Sequence, residues 1–237
     1  MVKVVSTQDE NLNQFLARHP RVELIQGESE PDSIVFYQGS WRRTVRWNSI
    51  PTEPDLSGLV ELCDNNPMVC TDSFVMPSPA ATLALVTLGP LIKAGLILED
   101  PILNYSDHTS TDDVLSHLQR EGWQGDFLAT HDEADLGGVL ALSAMVVVPT
   151  LNHLTEFDEL YDECYGRSFY INHSDHWDTS LVAGKAHCLY RLRITVDEPH
   201  SLLTIQAMAD RQGKLGAAGT LHALNVMAGF EESLGIE

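Results

Sequence analysis

Apolar positions fall in short runs over the first third of the chain and in longer ones after residue 78, and the two regions predict different elements. VKVV (Val2–Val5) reads as a strand, ENLNQFLAR (Glu10–Arg18) as a helix, residues 21–25 as a second strand and 33–37 as a third apolar run. In SWRRTVRW, Trp41, Arg43, Val45 and Trp47 alternate with Arg42, Thr44 and Arg46, which is the period of a strand. A turn-rich passage with Pro51, Pro54 and Ser57-Gly58 follows. PAATLALVTLGPLIKAGLI, from Pro79, predicts a long apolar helix, and Ser78 followed by Pro79 is the preferred order of cap and first residue at a helix start. That cap is favoured over the other reading of Ser78, a hydroxyl nucleophile. Another helix begins near NYSDHTSTDDVLSHL, with Ser110 or Thr111 as its cap and Asp112 and Asp113 in its first turn. FDELYDECY predicts a helix, residues 188–196 and 202–208 two strands, and the small-residue patch from Leu215 to Gly219 leads into a last helix ending at Asn225 and Gly229.

The 237 residues suffice for one large domain or one and a half small ones. A net charge of −20 disfavours nucleic acid and anionic membranes, which reward clustered Lys and Arg, and disfavours anionic small molecules unless a local basic pocket overrides the field. MVKVVSTQDE lacks a basic stretch followed by an apolar one, and the most apolar segments are interrupted by Pro90 and Lys93 or are too short to span a bilayer. A cytoplasmic protein with no membrane span is the expectation. The four cysteines, Cys63, Cys70, Cys164 and Cys188, show no CxxC spacing and imply neither a zinc ribbon nor a disulfide framework.

Several short motifs, in order, resemble the N-acetyl-γ-glutamyl-phosphate reductases of the semialdehyde dehydrogenase family. LARHPRVEL (16–24) is similar to the family's step from first helix into second strand. LIKAGLI (91–97) is similar to the end of its active-site helix, and FLATHDEADLGGVLAL (127–142) to its Phe-Thr-Pro-His strand. DELYDECY resembles a family helix, and residues 203–237, with Asp210, Lys214, Asn225 and the acidic pair before Gly235, resemble the family's carboxyl end. The resemblance implies α/β and α+β parts: a reduced Rossmann-like β-α-β front, residues 1–77, and a semialdehyde-dehydrogenase-type α+β domain on a mixed sheet, residues 78–237. It further implies a cysteine nucleophile, NADPH as hydride donor, and a dimer through the sheet of residues 79–237.

The chain departs from that pattern at the chemistry. Val5 is followed by STQDE with no glycine, and Asp9 and Glu10 suit a helix start but repel a phosphate placed there. Counted back from Lys93, Pro79 stands where the family has its cysteine, and Gly137 where it has an arginine. Cys70, in NNPMVCT, is the alternative nucleophile; as such it needs an insertion before the helix, and a small buried cysteine is its ordinary reading. His108 corresponds to a family histidine but lacks the following Pro-Glu, and otherwise is a solvated loop residue; His131 matches a strand-end histidine or is a core one. Arg42, Arg43 and Arg46 form the basic cluster able to meet a phosphate, with Lys214 a further candidate for substrate binding, while arginines in such a segment also keep a sheet edge soluble. His173, Asp175, His176 and Asp178, with His187 and Cys188, could supply metal ligands, but surface histidines explain them, so no metal is expected.

Three readings follow. The preferred one is a degenerate homologue that lost the reductase chemistry and serves as a binding, scaffolding or regulatory protein, as a homodimer or paired with a related reductase, without a cofactor. The second is a cofactor-independent enzyme acting on an acylated amino-acid derivative through His108, His131 and the arginines. The third is an active reductase using Cys70, the one case that calls for NADPH.

Overall fold

The computed structural model describes residues 1–28, 30–52, 55–150, 155–196 and 199–236. It is a mixed α/β protein, with two six-stranded mixed sheets and six α-helices among those residues. The amino-terminal part runs β1 (Val2–Val5), α1 (Glu10–Arg18), β2 (Val22–Ile25), β3 (Ser33–Gln38), β4 (Trp41–Arg46), β5 (Leu56–Ser57), α2 (Asn65–Cys70) and β6 (Ser73–Val75). The rest runs α3 (Pro79–Ala94), β7 (Ile102–Tyr105), α4 (Val114–Arg120), β8 (Leu128–His131), β9 (Val139–Pro149), α5 (Thr155–Tyr165), β10 (Ile171–His173), β11 (Cys188–Thr195), β12 (His200–Asp210) and α6 (Ala217–Ala228).

In the first sheet the order is β2-β1-β3-β4-β6-β5. The expected β-α-β unit is there, with β1 and β2 parallel across α1. Beyond it β3 and β4 form an antiparallel hairpin laid against β1. The turn-rich passage holds the two-residue strand β5, and NNPMVCT, the segment of the candidate nucleophile Cys70, forms the short helix α2. Pro54 lies outside the described residues.

The second sheet, β10-β11-β12-β9-β7-β8, carries the larger core on one face. α3 begins as expected: the Ser78 hydroxyl accepts from Ala81 N at 3.2 Å, Pro79 is the first residue, and Gly95 ends the helix in the left-handed region at φ 66°. Its middle is apolar on every side and enclosed on every side. Pro90 has no N–H, so the carbonyl of Val86 loses its helical donor. The Tyr165 hydroxyl supplies one to it at 3.2 Å, and the Tyr161 hydroxyl donates to the neighbouring Thr87 carbonyl. α4 starts later than its sequence suggests, at Val114, with Ser110 bonded to Asp112 in the preceding turn.

The sheet's other face is partly open. Leu128, Ile102, Met145 and Thr204 stand side by side across β8, β7, β9 and β12, with Val147 opposite Leu202 in the next row. Leu128 is 57% and Leu202 40% exposed.

α6 crosses the residue 77/78 boundary. It is buried along its whole length and packs into the core of the first sheet, with Leu12, Leu16, Phe36 and Phe74. Arg43 fastens its far end. This side chain is fully buried; its guanidinium donates to the carbonyls of Met227, Met68 (2.8 Å) and Thr71 (2.9 Å) and lies 4.1 Å from the Trp41 ring. A cation among carbonyls at the carboxyl ends of α2 and α6 also suits both helix dipoles. Among the described residues no helix is long and apolar enough to cross a membrane.

Arg43→Ala would take its hydrogen bond from all three carbonyls, Met68 keeping only a long one from Thr71 N (3.5 Å), at about 1–3 kcal/mol for each buried group left unsatisfied. A loss of at least about 3 kcal/mol is expected, read as a lower urea midpoint, with Arg43→Lys recovering only part of it. An unchanged midpoint in Arg43→Ala would remove the strap from this account.

Candidate functional site

The two sheets meet along a cleft with a cavity of about 190 Å³. Three helices start on it. Asp9 and Leu12 come from the first turn of α1, Ser78, Pro79 and Thr82 from that of α3, and Gly216, Ala217 and Thr220 from that of α6. Each helix N-terminus carries roughly half a positive charge in unsatisfied N–H groups. Asp9 offsets that of α1, its Oδ1 accepting from Leu12 N at 3.0 Å. Ser78 caps α3 with a neutral hydroxyl, while α6 starts at Gly216 with no side-chain cap at all.

Arg211 adds a full charge to the same cleft. The turn that presents it is wound around Asp210, whose carboxylate accepts from Gln212 N (2.8 Å), Gly213 N (2.9 Å) and Gly184 N (2.8 Å). Gly213 is required there: a Cβ would sit 1.9 Å from the Lys185 carbonyl oxygen. Arg211 lines the cleft, with its guanidinium paired to Asp107 at 3.1 Å. Its signal in the sequence is a departure, arginine where the resembling family has asparagine after the aspartate.

The NADPH that the resemblance implies does not fit the β1–α1 turn. Phosphate there needs free backbone N–H groups, and the turn's own side chains take them. Thr7 N donates to Asn13 Oδ1 (3.0 Å), Asp9 N to Thr7 Oγ1 (3.1 Å), and Leu12 N to the Asp9 carboxylate. A pyrophosphate would displace these bonds and face an acid.

Of the residues weighed for chemistry from sequence, Ser78 and Lys214 line the cleft and the others do not gather there. Lys214 lines it, but its ammonium group is turned inward: Nζ donates to Glu61 Oε1 at 2.5 Å and lies 5.4 Å from the Tyr170 ring centre. Both partners are almost wholly buried, so Lys214 is a structural ion and not a substrate ligand. His222 joins the network, 3.7 Å from Glu61 and 3.0 Å from Glu232. Burial alone would raise the Glu61 pKa, but Lys214 and His222 outweigh it and hold the carboxyl below its ordinary range.

The arginine cluster does not converge either. Strand period sends its members to opposite faces: Arg43 is the buried strap, Arg42 pairs with Glu30, and Arg46 pairs with Asp55 at 2.5 Å. Cys70 ends α2, exposed, on the first sheet, because α2 is held by burying Met68 and cannot also deliver its last residue to the mouth of α3. His108 and His131 do come together, ring centres 5.0 Å apart, with His131 stacked on Tyr105 and its Nδ1 3.2 Å from the Asp107 carbonyl. They stand at the end of the β7–β8 pair, outside the described lining of the cleft, linked to it by Asp107 and Arg211. Of the proposed metal set, Asp178 is spent on Ser180 N, His187 on the Leu181 carbonyl, and Cys188 is buried with its thiol pushed up to about 12. Among the described residues no three His, Cys, Asp or Glu side chains are placed to hold a metal.

Because Glu61 is held below its unfolded pKa, its contribution to stability is complete above the ordinary glutamate range, about 4.3, and fades as pH falls through it. Lys214→Met strands a buried carboxylate and is expected to cost about 3–5 kcal/mol at neutral pH. The gap between variant and wild-type urea midpoints should narrow as pH falls, because burial without Lys214 makes the variant's Glu61 take up its proton before the wild-type group does. A gap constant from pH 7 to 3 would assign the loss to packing alone.

No protein-family model matches the chain, and no curated protein does.

Proposed function

We propose that the protein binds a small anionic ligand, a carboxylate or phosphate, in the cleft between its sheets, and that it is a degenerate relative of the semialdehyde dehydrogenases without their reductase chemistry. One observation carries this reading: three helix N-termini and Arg211 meet on a cavity whose described lining has neither a thiol nor an imidazole. Such a site supplies the local positive potential that a chain of net charge −20 otherwise lacks. Pro79 at the mouth of α3 and the self-satisfied β1–α1 turn weigh against hydride transfer to a thioester.

The scaffolding side of the reading is a homodimer. The open face of the second sheet, with Leu128, Ile102, Met145, Val147 and Leu202, suits an isologous contact between two copies. Four free cysteines accord with a reducing, cytoplasmic setting.

Thermal melts against acetate, succinate, glutamate, inorganic phosphate and NADPH test the ligand. A carboxylate or phosphate at a hundred times its Kd adds about 2.7 kcal/mol and should raise the Tm, Arg211→Gln should weaken that binding about tenfold or more, and NADPH should leave the Tm unmoved. Stabilisation by NADPH, or semialdehyde-dependent NADPH turnover abolished by Cys70→Ser, would restore the reductase reading. For the dimer, light scattering should show twice the chain mass for wild type and a single chain for Leu128→Asp/Leu202→Asp at unchanged Tm. A wild-type monomer at micromolar concentration would end the dimer proposal.

A further inference from the structure

Ser78 is held twice by one carboxylate. Its backbone N–H donates to Asp113 Oδ2 at 2.8 Å and its hydroxyl donates to Asp113 Oδ1 at 2.7 Å. Asp113 stands at the cap position of α4, yet its side chain makes no cap bond to that helix. Both its oxygens turn to a residue 35 positions earlier. Capping of α3 does not call for this, because the cap bond runs from Ala81 N to the serine oxygen and needs no carboxylate behind it.

A second, independent oddity lies behind the pair. His117 is 0% exposed, its Nε2 is 3.5 Å from Asp113 Oδ2, and neither ring nitrogen has a hydrogen-bond partner among the described residues. Native proteins leave few buried polar groups in that state, and an apolar residue would fill the space at less cost. Burial keeps the imidazole neutral, outweighing the pull of Asp113. Ser78 itself is half-buried and lines the cleft, as does the uncapped start of α6, while Asp113 stands behind it outside the described lining.

We propose that Ser78 is a nucleophile for acyl transfer, with Asp113 as its general base, acting on a small carboxylic ester held in the cleft. The hydroxyl keeps one lone pair free while donating to Asp113 and accepting from Ala81 N. Ser78 Oγ forms a bond to the acyl carbon as its proton passes to Asp113; the ester C–O bond breaks, and the departing alkoxide takes the proton back from Asp113 as the alcohol. Water, deprotonated by the same carboxylate, then releases the acid and restores the serine. The start of α6 lines the same cleft, and its positive end is the group available there to stabilise the oxyanion that forms in each half. His117 takes no part in the proton movements. A carboxylate is a weak base for a serine, so turnover is slow and the acyl-serine accumulates.

The test is acylation by p-nitrophenyl acetate, followed by intact mass and peptide mapping. Wild type should gain one acetyl group, mapped to Ser78. Ser78→Asn keeps a cap of equal quality and should melt with wild type yet gain none. Asp113→Asn should slow acylation by about 100-fold or more. No adduct on folded wild type, or an adduct that persists in Ser78→Asn, overturns the proposal, as does an Asp113→Asn rate equal to wild type. The ester is uncharged, so this outcome is independent of whether the cleft also binds anions.

Discussion

A helix buried along its whole length has to be enclosed on all of its sides, with partners for its polar groups, and α6 is such a helix. α1 and α2 bring Leu12, Leu16 and Met68 to the first sheet's core, and the chain returns from the second sheet to add α6 to it. That return draws the turn after β12 along the seam between the sheets, and with it Arg211 and the start of α6. The two ends of the helix are then fixed by charge: Lys214, Glu61 and His222 near its start, Arg43 at its finish. Buried ions of this kind add little net stability, but removing one partner is costly, which makes them better at specifying a position than at strengthening it.

The electrostatics of the cleft run against those of the molecule. A global charge of −20 repels anions at long range, but that field is screened beyond about 8 Å at physiological ionic strength. Within a cavity, helix ends and one guanidinium act at contact distance. The three N-termini are not equivalent: α1 is neutralised by Asp9, α3 is capped by a hydroxyl, and α6 has no side-chain cap, only the Gly213 carbonyl on Gly219 N. A ligand therefore meets a graded wall, most positive on the α6 side. The same gradient orients an acyl oxygen as readily as a carboxylate.

Local structure was legible where local rules act. The bounds of β1 and α1 and the Ser78–Pro79 start of α3 follow from strand runs, cap chemistry and proline preference, all contained within a few residues. The β-α-β pairing followed as well. What was not legible depends on contacts distant in the chain. Arg43 reads as a surface arginine because its neighbours Arg42 and Arg46 are; the carbonyls of Met68, Thr71 and Met227, 25, 28 and 184 positions away, make it a core residue. Lys214 reads as a ligand for want of Glu61, 153 positions earlier. Asp113 reads as a first-turn acid, and nothing near it in sequence points to Ser78. Polar groups are the hard cases because their partners, unlike apolar ones, are specific.

The late arrival of α6 sets an order on assembly. During synthesis β1 to β6 emerge long before residues 217–228, and until then Leu12, Leu16, Phe36 and Phe74 lack the helix that seals them. Pairings this distant in the chain are slow to form, and an unsealed apolar face invites association in the meantime. The second sheet meets no such delay, since α3, α4 and α5 all precede its last strands. On a ribosome, the half of the molecule made first is thus the half completed last.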